Sequence, residues 1–498
     1  MASGGSDPRA LRVELVELRA RLAERDRVIA LQADEIAALR EQNAELTARL
    51  AALVERVAEL ERRLGQNPRN SHRPPSSEGY EKPAPRSRRG RSGRRPGGQP
   101  GHEGTTLAQV QRPDERVVHA PVACTGCGGS LSEAPVVSTE RRQVFDLPEI
   151  RLRVVEHVLE HRRCTCGRTT MAAAPAGVGA PTQYGPGVRA LGTYLLAAHH
   201  LPVARTAELL GELVHAPISE GSLAAWYADA AAGLDLFCDA VKSGLAGAAV
   251  VGADETGIRV DGRLAWLHTA RTDALTLYTV SGKRGEQAMT EAGVLPALRP
   301  EQVLVHDCWG PYWSFEVTHA LCGAHLGREL AAASEVPEQA DWAAGLDRLL
   351  TEISGVCQRA RDAGADGLAA RLLVTYRDRY DELIDAGWAA NPGHRPGSRR
   401  KRRPKHVNLL DRLDRHRDAV LRYAHDLTVP FTNNGSEQDI RPTKIRLKIA
   451  GCLRTMTGAD AFARLRSYLS TARKQGHSAL TVLRMLHEGN PWIPATAG

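Results

Sequence analysis

Three acidic residues stand where the chain should be leaving a core. Asp254 ends the apolar run "AAVVGAD" and Asp307 ends "VLVHD", so each carboxylate is expected at the end of a buried strand. Glu437 lies in "FTNNGSEQDIRPTKIRLK", with Arg441, Lys444 and Lys448 following at offsets of four, seven and eleven. On a helix those offsets put one carboxylate and three cations along one face. Pro442 falls inside that segment and predicts a kink, leaving Glu437 in a bent first turn. Three carboxylates are hard oxygen ligands. They suit one or two magnesium ions, or manganese in their place, with coordination positions left open for substrate oxygens.

The elements that must position these acids are legible on either side of them. "GAAVVGADETGIRV", "RLAWLHTART" and "ALTLYTVSG" are β-rich runs separated by turns at Asp261-Gly262 and Thr272-Asp273, the pattern of a β-meander. A helical piece from Gly285, the strand "QVLVHDCWGPYW" and the run "EVTHALCGAHLGREL" follow, and together they describe an α/β sheet. If the first and fourth strands are adjacent, Asp254 and Asp307 share one sheet edge. Upstream, "PVARTAELLGELVHAPISEGSLAAWYADAAAGL" forms two short helices, the second capped by Ser219. That pair reads equally as a DNA-binding helix-turn-helix or as an ordinary helical hairpin.

A second ligand set is built from thiols. Cys124 and Cys127 form a C-x-x-C knuckle ahead of Gly128 and Gly129, and Cys164 and Cys166 form a tighter C-x-C ahead of Gly167, with strand-like sequence between. Two thiolate pairs on Gly-rich turns suit a structural, tetrahedral zinc ion. The short C-x-C spacing leaves His157 or His161 open as a substitute ligand.

The N-terminal region is of another kind. From Leu11 to Leu64, thirteen of sixteen heptad seam positions are apolar, the exceptions being Arg25, Gln32 and Asn43. This predicts a coiled coil of about seven heptads, with Asn43 at an a position favouring a parallel dimer. A Pro-, Gly-, Ser- and Arg-rich stretch follows, with nine basic residues between Arg69 and Arg95 against Glu78 and Glu81. It has little to bury and reads as a disordered linker whose Arg86, Arg88, Arg89, Arg91, Arg94 and Arg95 can lie along phosphates. The whole chain of 498 residues carries a formal charge of +8, which favours an anionic partner, nucleic acid above all. No apolar stretch approaches the roughly 20 residues of a membrane span and no signal peptide opens the chain, so a cytosolic protein is expected. Nine cysteines, an odd number, fit reduced thiols and a metal site better than a disulfide framework.

Taken in order, "SGRRPGGQPGHEGTTL", "GADETGIRV", "VHDCWGPYW", "CGAHLGREL" and "NNGSEQDIRPTKIRLKIAGCLRTMTGADAFARLRSYLSTARKQG" resemble the insertion sequence 66 family of bacterial transposases over essentially the whole chain. The resemblance implies a ribonuclease H-like catalytic domain with an Asp, Asp, Glu triad, here Asp254, Asp307 and Glu437, and a helical insertion before the glutamate. Asn433 and Asn434 would orient Glu437 or contact DNA. Arg441, Lys444 and Lys448 would hold phosphates. Gln438 departs from the arginine that the family often carries there.

The organisation expected is a multidomain α/β protein. A leucine-zipper coiled coil (1–65) is followed by a basic linker (66–112), a small zinc-binding module (113–172) and a helical DNA-binding region (180–245). The catalytic domain (246–335 and 428–475) is split by a basic helical insertion (336–427), and a short C-terminal region (476–498) ends the chain. The implied reaction is magnesium-dependent cutting of double-stranded DNA at element ends, then joining of the freed 3′ hydroxyl to target DNA. Expected partners are those DNAs, a second copy of the chain or a higher oligomer, and helper proteins encoded by the same element, but no membrane. The expected location is the cytoplasm, at the nucleoid. Two other readings stay open: a DNA-binding regulator without catalysis, and a nuclease of the same fold that cuts without joining. No phosphate-cradling glycine loop of the G-x-x-x-x-G-K type is present.

Overall fold

The computed structural model describes residues 8–64, 106–394, 396 and 403–495. The linker arginines named above, and most of the basic run "RRKRRPK" of the insertion, lie outside the described residues.

Helix α1 (Pro8–Leu64) runs unbroken, as the heptads require. Its seam residues Leu22, Ile36 and Leu50 are exposed at 62%, 49% and 64%, so the stripe is uncovered within one chain. A short hairpin, β1 (His161–Arg163) and β2 (Thr169–Met171), carries Cys164 and Cys166 in its turn. The residues from 135 to 160 form no strand, contrary to the strand-like reading. This stretch has no partner strand, and Val137, Val144 and Val154 stay exposed; so small a module cannot bury a core from its own sequence.

Four helices come next: α2 (Pro186–Ala197), α3 (Val203–Val214), α4 (Glu220–Ala232) and α5 (Asp235–Ala246). Ser219 caps α4 by accepting from the Ser222 amide at 3.0 Å, as its sequence position predicts. The meander then appears as β3 (Val250–Val260), β4 (Arg263–Arg271) and β5 (Thr276–Ser281). Asp261 and Gly262 both adopt positive φ, +50° and +70°, the twist a two-residue hairpin demands. After α6 (Glu286–Ala292) come β6 (Val303–His306) and β7 (Thr318–Leu321), and the sheet order is β5-β4-β3-β6-β7. The first three strands are antiparallel, while β6 runs parallel to both β3 and β7.

Helices α7 (Gly323–Ser334), α8 (Ala340–Asp362), α9 (Ala370–Ala389), α10 (Lys405–Arg415) and α11 (Arg417–His425) cover the β6-β7 side. Their Leu346, Ile353, Tyr380 and Leu410 share one core with Val303 and Val305. The chain returns through α12 (Asn434–Ile449), α13 (Met456–Lys474) and α14 (Ala479–His487). The helices before the sheet form a core of their own around Leu196, Leu210, Leu223 and Trp226, and α4 and α5 also pack on the sheet. Ala230, Phe237 and Val241 pack with Val251, Leu304, Tyr468 and Leu483.

Candidate active site

Alternation along the strands decides which side chains meet. In β3, Val251, Ala253 and Glu255 share one face, while Gly252 and Asp254 share the other, where α12 lies. The parallel register pairs Gly252 with Val305, so Asp254 and Asp307 each stand two residues beyond that pair on adjacent segments of the sheet. Neighbouring strands lie about 4.8 Å apart, which brings the two acids to the same edge. Asp307 follows directly on the end of β6, as expected. Asp254 does not end its strand: β3 continues to Val260, because β4 keeps pairing with it after β6 has stopped. The opening beside Asp254 is made by the end of its neighbour.

The turn after Asp307 is strained. Cys308 sits at φ +73°, a left-handed conformation that few residues other than glycine adopt. The Trp309 amide donates to Asp307 Oδ1 at 2.9 Å and the Cys308 amide to His306 Nδ1 at 3.1 Å. His306 therefore carries its ring proton on Nε2 and donates it to His319 Nδ1 at 3.0 Å.

Helix α12 delivers Glu437 in its first turn. Asn433 fixes the approach: its Nδ2 donates to the Ala253 carbonyl at 2.7 Å, and its Oδ1 accepts from Ser436 Oγ at 2.6 Å. Asn433 is buried with both ends of its amide engaged. The first of these bonds ties the start of α12 to β3. Asn434 is exposed. Two glycines make the close approach feasible. A Cβ on Gly252 would stand 2.8 Å from Asn433 Oδ1, and one on Gly435 would stand 2.0 Å from Arg271 Nη1. The helix passes through Pro442 as one element rather than ending there, the missing amide leaving only the Gln438 carbonyl without its helical donor. Arg441 and Lys448 are exposed and Lys444 is half-buried on the same helix.

Burial pushes the Asp254 carboxyl well above the usual range, and the carboxylates of Glu255, Asp307 and Glu437 push it further. The Glu255 amide, donating to Asp254 Oδ1 at 2.8 Å, opposes them only in part. This crowded negative charge is what a divalent cation relieves, so the donor set fits magnesium in its chemistry. The carboxylates do not close into a shell here: among the described residues no three His, Cys, Asp or Glu side chains gather closely enough to ligate one ion. Glu437 Oε1 is instead drawn to Arg328 Nη2 at 3.0 Å and to His325 Nε2 at 3.7 Å, both on α7.

Four residues at this centre escaped the sequence reading. Glu255 is a fourth acid, and Arg328 and His325 are basic partners of the third. Asp439 accepts from Lys474 Nζ at 2.8 Å and forms an ion pair with the Arg271 guanidinium, Nε at 3.2 Å, and so ties α12 to α13 and β4. The i, i+3 spacing of His325 and Arg328 within the quoted "CGAHLGREL" was the available signal for two of them.

The thiol pairs form two separate half-sites. The Gly128 amide donates to the Cys124 carbonyl and the Gly167 amide to the Cys164 carbonyl, each at 2.8 Å, and both glycines adopt positive φ. The Cys127 amide lowers the Cys124 thiol and the Cys166 amide lowers the Cys164 thiol below the ordinary range, which favours the thiolate a zinc ion needs. Each pair thus fits zinc, but the pairs do not meet, and neither His157 nor His161 completes a cluster.

The helical hairpin α3-α4 is present, but α4 turns Glu220, Ala224, Ala225, Ala228 and Asp229 to solvent. The outer face of α4 is thus made of alanines and two acids.

Residues 181–461, more than half of the 498-residue chain, match the transposase IS66 family. Residues 121–167 match the zinc-finger binding domain of transposase IS66, and residues 10–108 match a family of unknown function (DUF6444). The chain belongs to the IS66 transposase family. No curated protein matches it. Among the described residues, no helix is long and apolar enough to cross a membrane.

Proposed function

We propose that this transposase cuts phosphodiesters at the ends of an insertion element and joins the freed 3′ hydroxyl to target DNA, using Asp254, Asp307 and Glu437 as its catalytic acids. What supports this reading is that Asp254 on β3 and Asp307 after β6 lie at one edge of the sheet, and that the helix bearing Glu437, Arg441, Lys444 and Lys448 is bonded to β3 beside Asp254. The order β5-β4-β3-β6-β7, three antiparallel strands followed by two parallel ones, supports a ribonuclease H-like domain.

In this reading Asp254 and Asp307 hold the magnesium, or manganese, and Glu437 completes the set on release from Arg328. When bound, the metal supplies Lewis-acid stabilisation of the attacking and leaving oxygens. Arg441, Lys444 and Lys448 hold backbone phosphates against the centre, and Asn433 keeps α12 aligned. In the first step water adds to phosphorus and the bond to the 3′ oxygen breaks, leaving a 3′ hydroxyl. In the second, that hydroxyl attacks a target phosphodiester and displaces the 3′ oxygen of the target strand. Neither step needs a covalent enzyme intermediate. Cys124, Cys127, Cys164 and Cys166 close around structural zinc, and the exposed seam of α1 pairs with a second copy.

The test is incubation of the purified protein with a labelled element end, target DNA and magnesium. Asp254→Asn keeps the side chain's size but removes its charge, so it should abolish cleavage while leaving DNA binding nearly intact. Wild-type cleavage by that variant would overturn the assignment. Cleavage by the wild type without joined product would favour the nuclease reading.

A further inference from the structure

Glu255 directly follows Asp254, and its side chain is 1% exposed. A carboxylate so placed needs partners. Oε2 accepts from the Tyr312 hydroxyl at 2.6 Å, and Oε1 accepts from Nε and Nη2 of Arg284 at 3.1 and 2.8 Å. The guanidinium is itself confined by two indoles, 4.0 Å from the ring of Trp309 and 4.7 Å from that of Trp266.

The members come from four separate segments of the chain. Glu255 lies on β3, Trp266 on β4 and Arg284 in the loop after β5, while Trp309 and Tyr312 belong to the turn that follows Asp307. That turn carries a left-handed cysteine and so needs to be held from outside. The network holds it on two sides. Tyr312 is bonded to the residue next to Asp254, and Trp309, whose amide donates to Asp307 Oδ1, lies under Arg284.

We propose that Glu255, Arg284 and Tyr312 are positioning residues that set Asp307 against Asp254 for metal binding, an inference that rests on the reading of those two aspartates as metal ligands. None of the three touches the metal in this assignment. Their effect is transmitted through the backbone turn at 308–312, as outer partners of ligating carboxylates commonly act.

The experiment is Mn2+ binding to the full-length protein without DNA, followed by the electron paramagnetic resonance signal of the free ion. Four proteins are compared: wild type, Asp254→Asn, Tyr312→Phe and Arg284→Gln. The sign for Arg284→Gln is decisive. Removing a cation beside a cluster of acids strengthens divalent binding if charge alone matters, whereas lost positioning weakens it. Tyr312→Phe changes no charge and serves as the milder variant. Both are expected to bind Mn2+ about tenfold more weakly than wild type, the usual scale for loss of an outer partner; Tyr312→Phe should melt close to wild type without metal, and Arg284→Gln lower, because it leaves the buried Glu255 without its cation. Equal or tighter binding by Arg284→Gln, or wild-type binding by Tyr312→Phe, overturns the inference. If the wild type binds no Mn2+, or Asp254→Asn binds it as well as the wild type does, the metal site itself is wrong. If only Asp254→Asn loses binding, the site stands and the positioning role falls.

Discussion

The side-chain Nδ2 of Asn433 donates to the carbonyl of Ala253 across 2.7 Å, so the residue four places before Glu437 is bonded to the residue immediately before Asp254. One buried hydrogen bond therefore joins the helix of the third acid to the strand of the first. Replacing Asn433 with alanine leaves the Ala253 carbonyl and the Ser436 hydroxyl without their partner. The expected cost is about 1–3 kcal/mol of stability, read from urea unfolding. Cleavage should fall further than the stability loss explains, because α12 loses its register. A variant with full stability and full cleavage would show that the bond is incidental.

Glu437 and Asp439 are two residues apart on one helix and should respond to mutation in opposite ways. Asp439, 11% exposed, faces the ammonium of Lys474 and the guanidinium of Arg271. Asp439→Ala strands the ammonium of Lys474 in a poorly hydrated site, leaves Arg271 only its exposed partner Asp273, and should cost about 3–5 kcal/mol. The Glu437 side chain is 41% exposed, and Glu437→Gln should change metal-free stability by less than about 1 kcal/mol while abolishing cleavage. Parallel unfolding and cleavage assays separate the two.

His200 gives the fold a defined acid sensitivity. It is 4% exposed, and burial, with help from the guanidinium groups of Arg466 and Arg446, lowers its pKa to about 4. In the unfolded chain a histidine titrates near its ordinary value of about 6.5. The unfolded state therefore binds the proton first as pH falls. Stability is at its full value above about pH 6.5 and declines down to about pH 4, where the loss levels off. His487, lowered to about 4 chiefly by burial, acts over the same window. His200→Asn, chosen because asparagine tolerates the +60° φ at this position, should flatten the decline between about pH 7 and pH 4.5. An unchanged slope would exclude His200 as its source.

Zinc should draw the two cysteine half-sites together. Elemental analysis of protein purified without chelator is expected to find zinc, and Cys164→Ser should lower it and loosen residues 113–172 to proteolysis. Intact protein free of zinc would remove the structural role assigned to Cys124, Cys127, Cys164 and Cys166.

Much of the molecule was legible from local patterns, because those patterns act within a few residues. Alternating apolar residues around Asp261-Gly262 specify the β3-β4 hairpin, since only a turn with two positive φ values matches the strand twist. An apolar run ending in an acid marked Asp254 and Asp307 as candidates, heptads marked α1, and a cysteine pair before glycine marked each thiol turn. Tertiary structure alone decided the rest. Whether Glu255 is a solvated turn acid or a buried clamp depends on Arg284 and Tyr312, which reach it from a different loop and a different turn. What the Asn433 side chain bonds to depends on a carbonyl 180 positions away. Which face of α4 is outward depends on the helices packed behind Leu223 and Trp226. Periodicity and turn chemistry are properties of a short window of chain. Desolvation and pairing of charge are properties of what the folded chain brings beside it, and they decide which acids do chemistry and which hold the structure together.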